Sequence, residues 1–432
     1  MIIRDTSHLF PSHTSINKWD VSLIIVGAGA AGMMAAIRAA QLNQNVVLLE
    51  RNNSLGKKIL LTGKGRCNIT NSAPLEDFIA KFGRQGQFLR SAFQAFSNQD
   101  LIDFFENKGL KMKTERQGRV FPETDRAASV VQVLKSALLQ KNIKILFNSR
   151  LMAVKKEGDV FHLHLEDGKD VCAKKAILAT GGASYKDTGS RGDGFRIAQE
   201  LGHTIIPLRA ALVPLKTKES WVRQVQGLTL KNIRLSFVCG GKEIVSDIGE
   251  LLFTHFGVSG PLVLDLSGAI VTLAKEHKGV KLLIDLKPGL STEQLEKRIL
   301  RDISSQGNKN IKNFLKEFLP SSMIPLFIGL LGLDEDKRCA YLTQKERNCL
   351  IRTLKELPLT ITGSLPLEEA MVTAGGVSLK EINPRTMESR IVPGLYFAGE
   401  IIDACAPSGG FNLQQAFSTG YLAGGQAALC VK

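Results

Sequence analysis

Residues 21–71, VSLIIVGAGAAGMMAAIRAAQLNQNVVLLERNNSLGKKILLTGKGRCNITN, decide the fold class of this chain. The apolar run at 21–26 predicts a buried strand of a parallel sheet, and the turn GAGAAG follows it at 27–32. Small apolar side chains at 33–42 predict a helix that packs closely on the sheet, and a second strand then ends in Glu50. Strand, glycine turn, helix, strand and acid in this order predict a dinucleotide-binding βαβ unit.

Each glycine of the turn has a separate expected role. Gly27 permits the tight turn, Gly29 lets a pyrophosphate approach the backbone, and Gly32 brings the helix against the strand. The free N–H groups at the start of the helix favour an anion there. A turn that merely packs a helix on a strand is the alternative interpretation. The predicted cofactor contacts are Gly27, Ala28, Gly29, Ala30, Ala31 and Gly32.

Glu50 lies eighteen residues after the last glycine of the turn, at the end of the second strand. A carboxylate at this position accepts hydrogen bonds from ribose hydroxyls. A bare carboxylate repels a 2′-phosphate, so NADP is disfavoured at this site. FAD or NAD remains as the expected ligand.

The segment that follows Glu50 is rich in glycine, cations and small polar side chains. Such a loop offers many hydrogen-bond donors, and we expect it to lie over the diphosphate and to reach the reactive ring of a flavin. Cys67 within it is either redox-active or a packed thiol without a catalytic role. The candidate cofactor contacts in this segment are Arg51, Lys57, Gly63, Lys64, Arg66, Cys67 and Asn68.

The length of 432 residues is sufficient for two or three domains. A hydrophobic fraction of 44% and a charged fraction of 22% are ordinary for a soluble protein, and no apolar run reaches the roughly eighteen residues of a membrane span. Residues 1–20 lack the apolar segment of a signal peptide, so we expect an N-terminal extension and a cytoplasmic protein. The seven cysteines include no CxxC pair, which argues against a zinc site, a dithiol centre and a disulfide scaffold. No metal is predicted.

The formal net charge of +15 is unevenly distributed. Residues 51–120 hold thirteen Lys or Arg against six Asp or Glu. This excess either neutralises a pyrophosphate and attracts an anionic substrate, or forms a solvated basic face. Nucleic acid stays open as a less favoured partner.

The middle of the sheet domain contains a helical region and a predicted hairpin. Residues 75–140 are mainly helical in pattern. Strands at 151–154 and 160–165 then predict a hairpin beside the cofactor domain, in which Leu151 places main-chain groups against the adenine.

A second strand that ends in glycines runs over residues 176–182. Because it would end at the same edge of the sheet as the first, Thr180 and Gly181 are predicted points of backbone approach to the cofactor. A plain strand-to-helix turn is the alternative.

The character of the chain changes at Pro207. Short β-rich runs at 207–285 predict a small β domain inserted into the sheet domain, and residues 290–357 are helical in pattern. The stretch 249–261, with its glycines and proline, is predicted to be a site loop rather than a strand. It contains His255, which is the candidate acid/base group because a histidine titrates near neutrality, or is a histidine tied structurally to its loop.

The last seventy residues return to glycine-rich turns. A strand at 395–398 leads into Gly399 and Glu400, which are expected to close a cofactor site around a ribityl chain. The helix that starts at Gly410 can point its N-terminus at the N1–C2=O edge of a flavin and stabilise negative charge there. This closure favours FAD over NAD as the resident cofactor.

Four stretches together resemble one family: TGKGRCNITN at 62–71, LLFTHFGVSGP at 251–261, VTAGGV at 372–377 and GGFNLQQAFSTG at 409–420. They are similar to the BaiN-like bacterial FAD-binding flavoproteins, also called the aminoacetone-oxidase family. The resemblance implies a two-lobed FAD domain, a β-barrel insertion, and a helical domain inserted within the barrel. It places Arg51, Lys57, Lys64 and Asn68, with the glycine turn and Glu50, around the adenosine and diphosphate. Around the ribityl chain and ring it places Gly399, Glu400, Asn412 and Leu413.

The predicted fold is therefore α/β, a Rossmann-like FAD/NAD(P)-binding domain of the glutathione-reductase type with two insertions. The expected boundaries are 21–206 and 360–432 for the FAD domain, 207–286 and 345–359 for the barrel, and 287–344 for the helical insert.

The predicted function is that of an FAD-dependent oxidoreductase in which hydride passes through flavin N5 to or from a small organic substrate, anionic or neutral. No second GxGxxG follows a strand, so NADH or NADPH is expected only as a transient reductant. His255 is the first candidate proton donor and Cys67 the second. A flavoenzyme that modifies tRNA and a non-catalytic FAD-binding regulator are the alternatives. The sequence does not determine the oligomeric state.

Overall fold

The computed structural model describes most of the chain, namely residues 21–42, 44–141, 143–276 and 279–429. The predicted N-terminal extension, residues 1–20, lies outside the described residues. The chain divides into two compact units. Unit 1 comprises the chain up to Leu208 and from Gly375 onward, and unit 2 is Arg209–Ala374.

The first part of unit 1 alternates strands and helices. In chain order the elements are β1 (Leu23–Val26), α1 (Ala30–Gln41), β2 (Val46–Leu49), α2 (Lys57–Leu61), β3 (Thr70–Asn71), α3 (Leu75–Lys81), α4 (Gly86–Ala95), α5 (Asn98–Glu106), β4 (Met112–Thr114), β5 (Arg119–Pro122), α6 (Ala127–Gln140), β6 (Lys144–Leu146), β7 (Leu151–Glu157), β8 (Val160–Leu165), β9 (Asp170–Ala173), β10 (Lys175–Leu178), α7 (Asp193–Glu200) and β11 (Ile205–Ala211).

Unit 2 and the return to unit 1 complete the chain. The elements are β12 (Leu215–Thr217), β13 (Thr229–Cys239), β14 (Lys242–Val245), β15 (Gly249–Phe253), β16 (Gly257–Ser259), α8 (Pro261–Glu276), β17 (Val280–Asp285), α9 (Thr292–Gln306), α10 (Ile311–Phe314), α11 (Ile324–Leu331), α12 (Gln344–Lys355), β18 (Leu357–Ser364), β19 (Val372–Val377), β20 (Leu395–Phe397) and α13 (Phe411–Leu429). No helix in the described ranges has the length and apolar character that crossing a membrane requires.

Five of the described strands form a parallel sheet in the order β20–β10–β1–β2–β6. Every residue of β1, β2 and β10 is buried, which explains why these segments are apolar apart from Lys175 at the start of β10. β1 lies in register between its neighbours, with Val26 opposite both Leu49 and Leu178. The carboxyl ends of the strands therefore meet at one edge, where open α/β sheets bind ligands. This sheet confirms the predicted α/β, Rossmann-like fold class.

Helices α1 and α13 approach each other closely because small residues face each other. A Cβ built on Gly420 would lie 2.2 Å from the Ala31 carbonyl oxygen, and one on Gly424 would lie 2.3 Å from that of Ala35. A side chain at either glycine would push the helices apart. This contact holds α1 against α13. The start of α1 also lies beside the turn that follows β20, because the Cβ position of Gly399 is 2.8 Å from the Ala31 Cβ.

Two antiparallel sheets accompany the parallel one in unit 1. β7, β8 and β9 form a three-stranded sheet, so the hairpin expected at 151–165 is present and gains a third strand. β3, β5 and β4 form another, and its first strand ends the donor-rich loop at Asn71.

Unit 2 is built around a closed antiparallel barrel. The described strands β13, β15, β16, β12, β18 and β17 pair in this order, and β17 pairs again with β13. Helices α9 to α12 follow β17 in the chain, and their Phe314 and Phe327 belong to the same hydrophobic core as Phe237 and Phe253 of the barrel. The separate barrel and helical domains, with their boundaries, stay a prediction.

The prediction of a site loop at 249–261 was wrong. β15 and β16 form a hairpin there, with Phe253 opposite Val258. The glycines misled the prediction because one of them serves packing. A Cβ on Gly257 would lie 2.2 Å from the Leu215 carbonyl oxygen of the neighbouring strand.

Candidate active site

The three glycines of the turn after β1 have different surroundings. A Cβ on Gly27 would lie 2.5 Å from the Ala179 carbonyl oxygen, and one on Gly32 would lie 1.8 Å from that of Gly27. Gly29, the N-cap residue of α1, is the opposite case, because its Cβ position has no neighbour within 4 Å. Packing therefore requires Gly27 and Gly32, whereas the space beside Gly29 and the start of α1 is open to a ligand.

Glu50 is buried and bonded to the glycine turn. One carboxylate oxygen accepts from the Ala28 N–H at 2.8 Å. The other accepts from the backbone N–H and the side-chain amide of Asn52, at 2.8 and 2.7 Å. The oxygen facing Ala28 keeps capacity for a further donor such as a hydroxyl. Asn52, which the sequence analysis did not select, orients this carboxylate.

Arg51 is committed to an ion-pair cluster. Its guanidinium lies 2.7 Å from Asp193 and donates to the Gly189 carbonyl at 3.1 Å. Arg150 binds the same carboxylate at 3.0 Å. Burial alone would raise the pKa of Asp193, but the hydrogen bond from Arg150 and the charges of Arg150 and Arg51 hold that pKa below its ordinary value. Arg51 therefore anchors the loop before α7, and sequence reasoning missed Asp193 because it lies 142 residues away.

Lys58, which the sequence analysis did not select, contacts Glu400, and the predicted role of Lys57 at the diphosphate stays a prediction. The Lys58 ammonium lies 2.6 Å from the Glu400 carboxylate and donates to the Ser184 hydroxyl at 2.8 Å. Ser184 in turn donates to Glu400 at 3.2 Å. Lys57 donates to the Asn52 side chain at 3.3 Å. Both lysines lie beside predicted cofactor contacts.

The donor-rich loop turns on residues in the left-handed region. Gly63, Lys64 and Cys67 have φ values of 56°, 57° and 63°. Cys67 is completely buried, and this burial raises the pKa of its thiol to about 12, although a hydrogen bond with Thr62 opposes the shift. The thiol is therefore protonated at neutral pH, which argues against a reactive thiolate.

Asn68 and Arg66, neighbours in this loop, differ in their contacts. The side-chain amide oxygen of Asn68 is buried without a hydrogen-bond partner among the described residues. Such an orphaned acceptor is expected to bind a donor from a ligand. The Arg66 guanidinium is instead paired with Glu115 and Asp125 and lies 4.2 Å from the centre of the Phe121 ring. Its charge is thus largely neutralised by the protein.

Thr180 and Gly181 follow β10, beside the glycine turn. The Ala179 N–H donates to the Val26 carbonyl at 2.9 Å, which brings the two strand ends together. The Thr180 hydroxyl oxygen is buried and also has no partner within the described ranges. Gly181 has φ 75° and its Cβ position is 3.0 Å from the Ser190 hydroxyl.

Leu151 begins β7 and is buried. Two residues earlier, the Ser149 N–H donates to the Glu50 carbonyl at 2.9 Å. The start of the hairpin therefore lies next to the end of β2, and contact of Leu151 with an adenine stays a prediction.

The C-terminal turns reach the same edge. Gly399 donates its N–H to Thr419 at 2.9 Å and accepts from the Gln415 side chain at 3.1 Å, so α13 holds this turn. A Cβ on Gly410 would lie 2.2 Å from the Thr70 carbonyl oxygen, which brings the start of α13 against the donor-rich loop.

Asn412 and Leu413 lie in the first turn of α13. The Asn412 side chain is occupied by its own loop, because its oxygen accepts from the Ala406 N–H at 2.8 Å and its amide donates to the Ala406 carbonyl at 2.8 Å. It therefore shapes the loop before α13, and contact with a ring from this residue would come through its backbone. Leu413 is half-buried.

His255 belongs to unit 2, where it is exposed at the turn of the β15–β16 hairpin. Thr254 closes the turn by donating to the Gly257 carbonyl at 2.8 Å. The imidazole packs edge-on against the Phe256 ring, with 4.9 Å between the ring centres. The His255 carbonyl also accepts from the Arg223 guanidinium at 3.3 Å, so both interpretations of His255, as an acid/base group and as a structural histidine, stay open.

The groups at the edge of unit 1 fit an FAD. They combine an open helix N-terminus at Gly29, the Glu50 carboxylate, and the orphaned oxygens of Asn68 and Thr180. A phosphate suits the first, a ribose hydroxyl the second, and polar groups of a ligand the last two.

Comparisons with known proteins identify the family of the chain. The family model described as the HI0933-like protein Rossmann domain matches residues 21–426. A 3-dehydro-bile acid delta(4,6)-reductase of Clostridium scindens is 35% identical over 94% of this chain and 98% of that protein. A protein of Escherichia coli named ribosomal RNA dihydrouridine synthase is 32% identical over 92% of this chain and 96% of that protein.

The solved structures support only the fold, because their sequence identities to this chain are low. The 3-ketosteroid delta1-dehydrogenase from Sterolibacterium denitrificans aligns with a TM-score of 0.54 and 14% identity over 96% of this chain and 100% of that one. A flavocytochrome c3 fumarate reductase aligns with a TM-score of 0.51 and 18% identity over 95% of this chain and 78% of that one. The family match and the reductase relative confirm the resemblance drawn from the four motifs. The chain therefore belongs to the HI0933-like family of Rossmann-fold proteins and is an FAD-dependent oxidoreductase.

Proposed function

We propose that the protein reduces a carbon–carbon double bond conjugated to a carbonyl group in a small organic substrate. The observation that carries this proposal is the chemistry shared by two relatives. Removing the double bonds of a 3-dehydro-delta(4,6) bile acid and forming dihydrouridine both saturate a carbon–carbon bond conjugated to a carbonyl. A hydride and a proton are added to the two carbons in each case. When bound, FAD supplies the hydride through its N5 atom after taking it from NADH or NADPH.

The residues of unit 1 have defined roles in this proposal. The N–H groups at the start of α1 bind the diphosphate in the space beside Gly29, and Glu50 accepts from ribose hydroxyls. The N-terminus of α13 directs the positive end of its dipole toward the ring. Lys58, held between Glu400 and Ser184, keeps the turn that encloses the ribityl chain in place.

The basic excess at residues 51–120 favours an anionic small molecule as the substrate. NADH or NADPH is the proposed electron source. The proposed location of the protein is the cytoplasm.

Anaerobic stopped-flow spectroscopy tests the proposal. The flavin absorbance band should bleach with NADH or NADPH, and it should recover when an α,β-unsaturated ketone or acid is added. A saturated ketone of the same skeleton is the matched control and should leave the band bleached. Recovery with oxygen alone, and with none of the unsaturated compounds, would sink the reductase proposal and favour an oxidase.

His255 is proposed as the proton donor to the substrate. His255→Ala should then slow the reoxidation step by about 10² or more while leaving flavin reduction by NAD(P)H at the wild-type rate. His164→Ala, which removes another exposed histidine, is the control. A wild-type rate of flavin reoxidation in the His255→Ala variant would exclude His255 as the proton donor.

RNA as the substrate is the second candidate. The charge of +15 and the relatives named ribosomal RNA dihydrouridine synthase favour it. It predicts RNA binding that weakens steeply as salt rises and reoxidation of the reduced flavin by uridine-containing RNA. Reoxidation by small unsaturated ketones, with no response to RNA, selects the first candidate.

A further inference from the structure

Strand β13 of the barrel has an incomplete pairing with β17. Its first residues pair with β15 and its last residues with β14, whereas β17 pairs only with Arg234–Val238 among the described residues. The pairing with β15 is irregular between Leu230 and Ile233, where Asn232 has φ 54°. Irregularities of this kind bend a strand and redirect its side chains. The barrel wall therefore opens at this corner.

A cavity of about 400 Å³ lies at this opening, within unit 2. Three segments form its walls: the start of β13, the two residues after β17, and the chain from Lys316 to Pro320. Leu230, Ile233 and Phe318 lie in its walls but are almost fully buried, so the surface that a ligand would meet is mainly polar. Its volume is in the range of pockets that hold small organic ligands.

Three lysines line the cavity: Lys231, Lys287 and Lys316. Lys287 is half-buried, and within the part of the chain that the structure describes its ammonium has no hydrogen-bond or ion-pair partner. Its pKa is lowered, first by burial and then by the charge of Arg298. Arg298 is held near the cavity, with its guanidinium 5.0 Å from the centre of the Phe318 ring. Arg298 is itself paired with Asp302, at 3.5 Å, so the cations of the cavity wall are the three lysines.

The nearby carboxylates do not neutralise these cations. Glu317 lines the cavity but pairs with Lys309, at 3.4 Å. Asp285, two residues before Lys287, binds the Lys355 ammonium at 2.6 Å. An anion inside the cavity would pair with the half-buried Lys287 ammonium and would also attract the exposed Lys231 and Lys316, the latter of which donates to Asn313 at 2.9 Å.

We propose that this cavity binds the phosphate group of an organic phosphate, with Lys287 and Lys231 on the phosphate. A doubly charged tetrahedral group suits several lysines better than a single carboxylate does, because it accepts from more donors. The phosphate belongs either to a free phosphomonoester or to a nucleotide of RNA. This site is independent of the reaction proposed for unit 1.

Calorimetric titration of the flavin-loaded protein tests the site with three probes: inorganic phosphate, uridine 5′-monophosphate and an oligouridylate. Lys287→Gln should weaken the probe that binds by about tenfold, and Lys287→Arg should restore most of the affinity. Lys312→Gln is the matched control, because Lys312 is an exposed lysine of the same unit that pairs with Glu335. Thermal unfolding of each variant verifies that it is folded.

Binding of the monophosphate or of inorganic phosphate that Lys287→Gln weakens about tenfold supports a free phosphate compound as the source. Binding of the oligouridylate alone, with the same loss, supports RNA as the source. Equal weakening in the Lys287 and Lys312 variants, or binding of none of the probes, overturns the proposal. Acetylation footprinting of the wild-type protein is a second readout that needs no variant. The bound probe should slow acetylation of Lys287 but not of Lys312, and equal protection of both contradicts the site.

Discussion

At the scale of single residues, Gly29 and Gly32 separate ligand binding from folding. Gly29 has an extended backbone (φ −83°, ψ −168°) and open space at its Cβ position, so Gly29→Val should fold normally and occupy the space proposed for the diphosphate. We expect unchanged thermal unfolding of the apoprotein and at least about tenfold weaker FAD binding. Fluorescence titration with FAD measures the affinity. Wild-type FAD affinity in Gly29→Val would contradict the proposed diphosphate position.

Gly32→Ala is the matched comparison. Its Cβ would lie 1.8 Å from the Gly27 carbonyl oxygen, which is backbone and cannot move aside cheaply. The substitution should lower the free energy of unfolding of the apoprotein by about 1–3 kcal/mol. Denaturant unfolding measures this loss, and equal stability in the two glycine variants would refute the distinction.

Cys67 is expected to affect how the free energy of unfolding changes at alkaline pH. Burial raises its pKa to about 12, above the ordinary thiol value of 9.0. The folded state therefore holds the proton that the unfolded state releases, so the contribution of Cys67 is complete below pH 9.0 and declines as the pH rises toward about 12. Cys67→Ala should flatten the decrease in unfolding free energy above pH 9.0 relative to the wild type.

The same burial predicts a labelling pattern. Iodoacetamide should alkylate the exposed Cys349 of the folded protein at about pH 8 and leave Cys67 unmodified. Mass spectrometry locates the label. Rapid alkylation of Cys67 would mean that the thiol is accessible, and would reopen its redox role.

At the scale of elements, the contact between α1 and α13 holds together the N-terminal and C-terminal parts of the proposed cofactor site. Gly420→Ala places a methyl group 2.2 Å from the Ala31 carbonyl oxygen and should destabilise the fold by about 1–3 kcal/mol. Gly425→Ala, in the same helix, has no neighbour closer than 3.6 Å and should be neutral or stabilising by up to about 1 kcal/mol. Denaturant unfolding of both variants measures the difference. Equal effects would show that the helices can separate at little cost.

At the scale of the whole molecule, the division into two units predicts that FAD binding can be separated from substrate turnover. The proposed FAD contacts lie in unit 1, where the Cβ position of Gly375 is 2.4 Å from the Pro207 carbonyl oxygen. The chain on either side of unit 2 is thus adjacent, and a short glycine–serine linker should replace Arg209–Ala374. We expect this variant to bind FAD and to lack substrate turnover, because His255 and the rest of unit 2 are absent.

Flavin content and single-turnover kinetics check this expectation. The full chain with the same linker inserted after Leu208 is the control for the linker itself. A folded deletion variant that binds no FAD would show that unit 2 supplies cofactor contacts.

Much of this protein could be predicted from its sequence. The strand before Gly27, the helix after it and Glu50 were identifiable because local periodicity and glycine spacing report directly on a βαβ unit. The β-rich segment after Pro207 and the C-terminal helix were identifiable for the same reason. The hairpin around His255 was missed, because Gly257 is required by a neighbouring strand that is distant in the sequence.

The sequence by itself determined the fold class, the glycine turn and the family, since these depend on patterns within a few tens of residues. Only the tertiary structure decided that Arg51 binds Asp193, that Glu400 binds Lys58, and that Asn412 bonds to its own loop. It also revealed the lysine-lined cavity, whose walls come from three separate segments. Charged and amide side chains choose partners by distance and burial in the folded chain, and no local pattern specifies which of many cations an acid will meet.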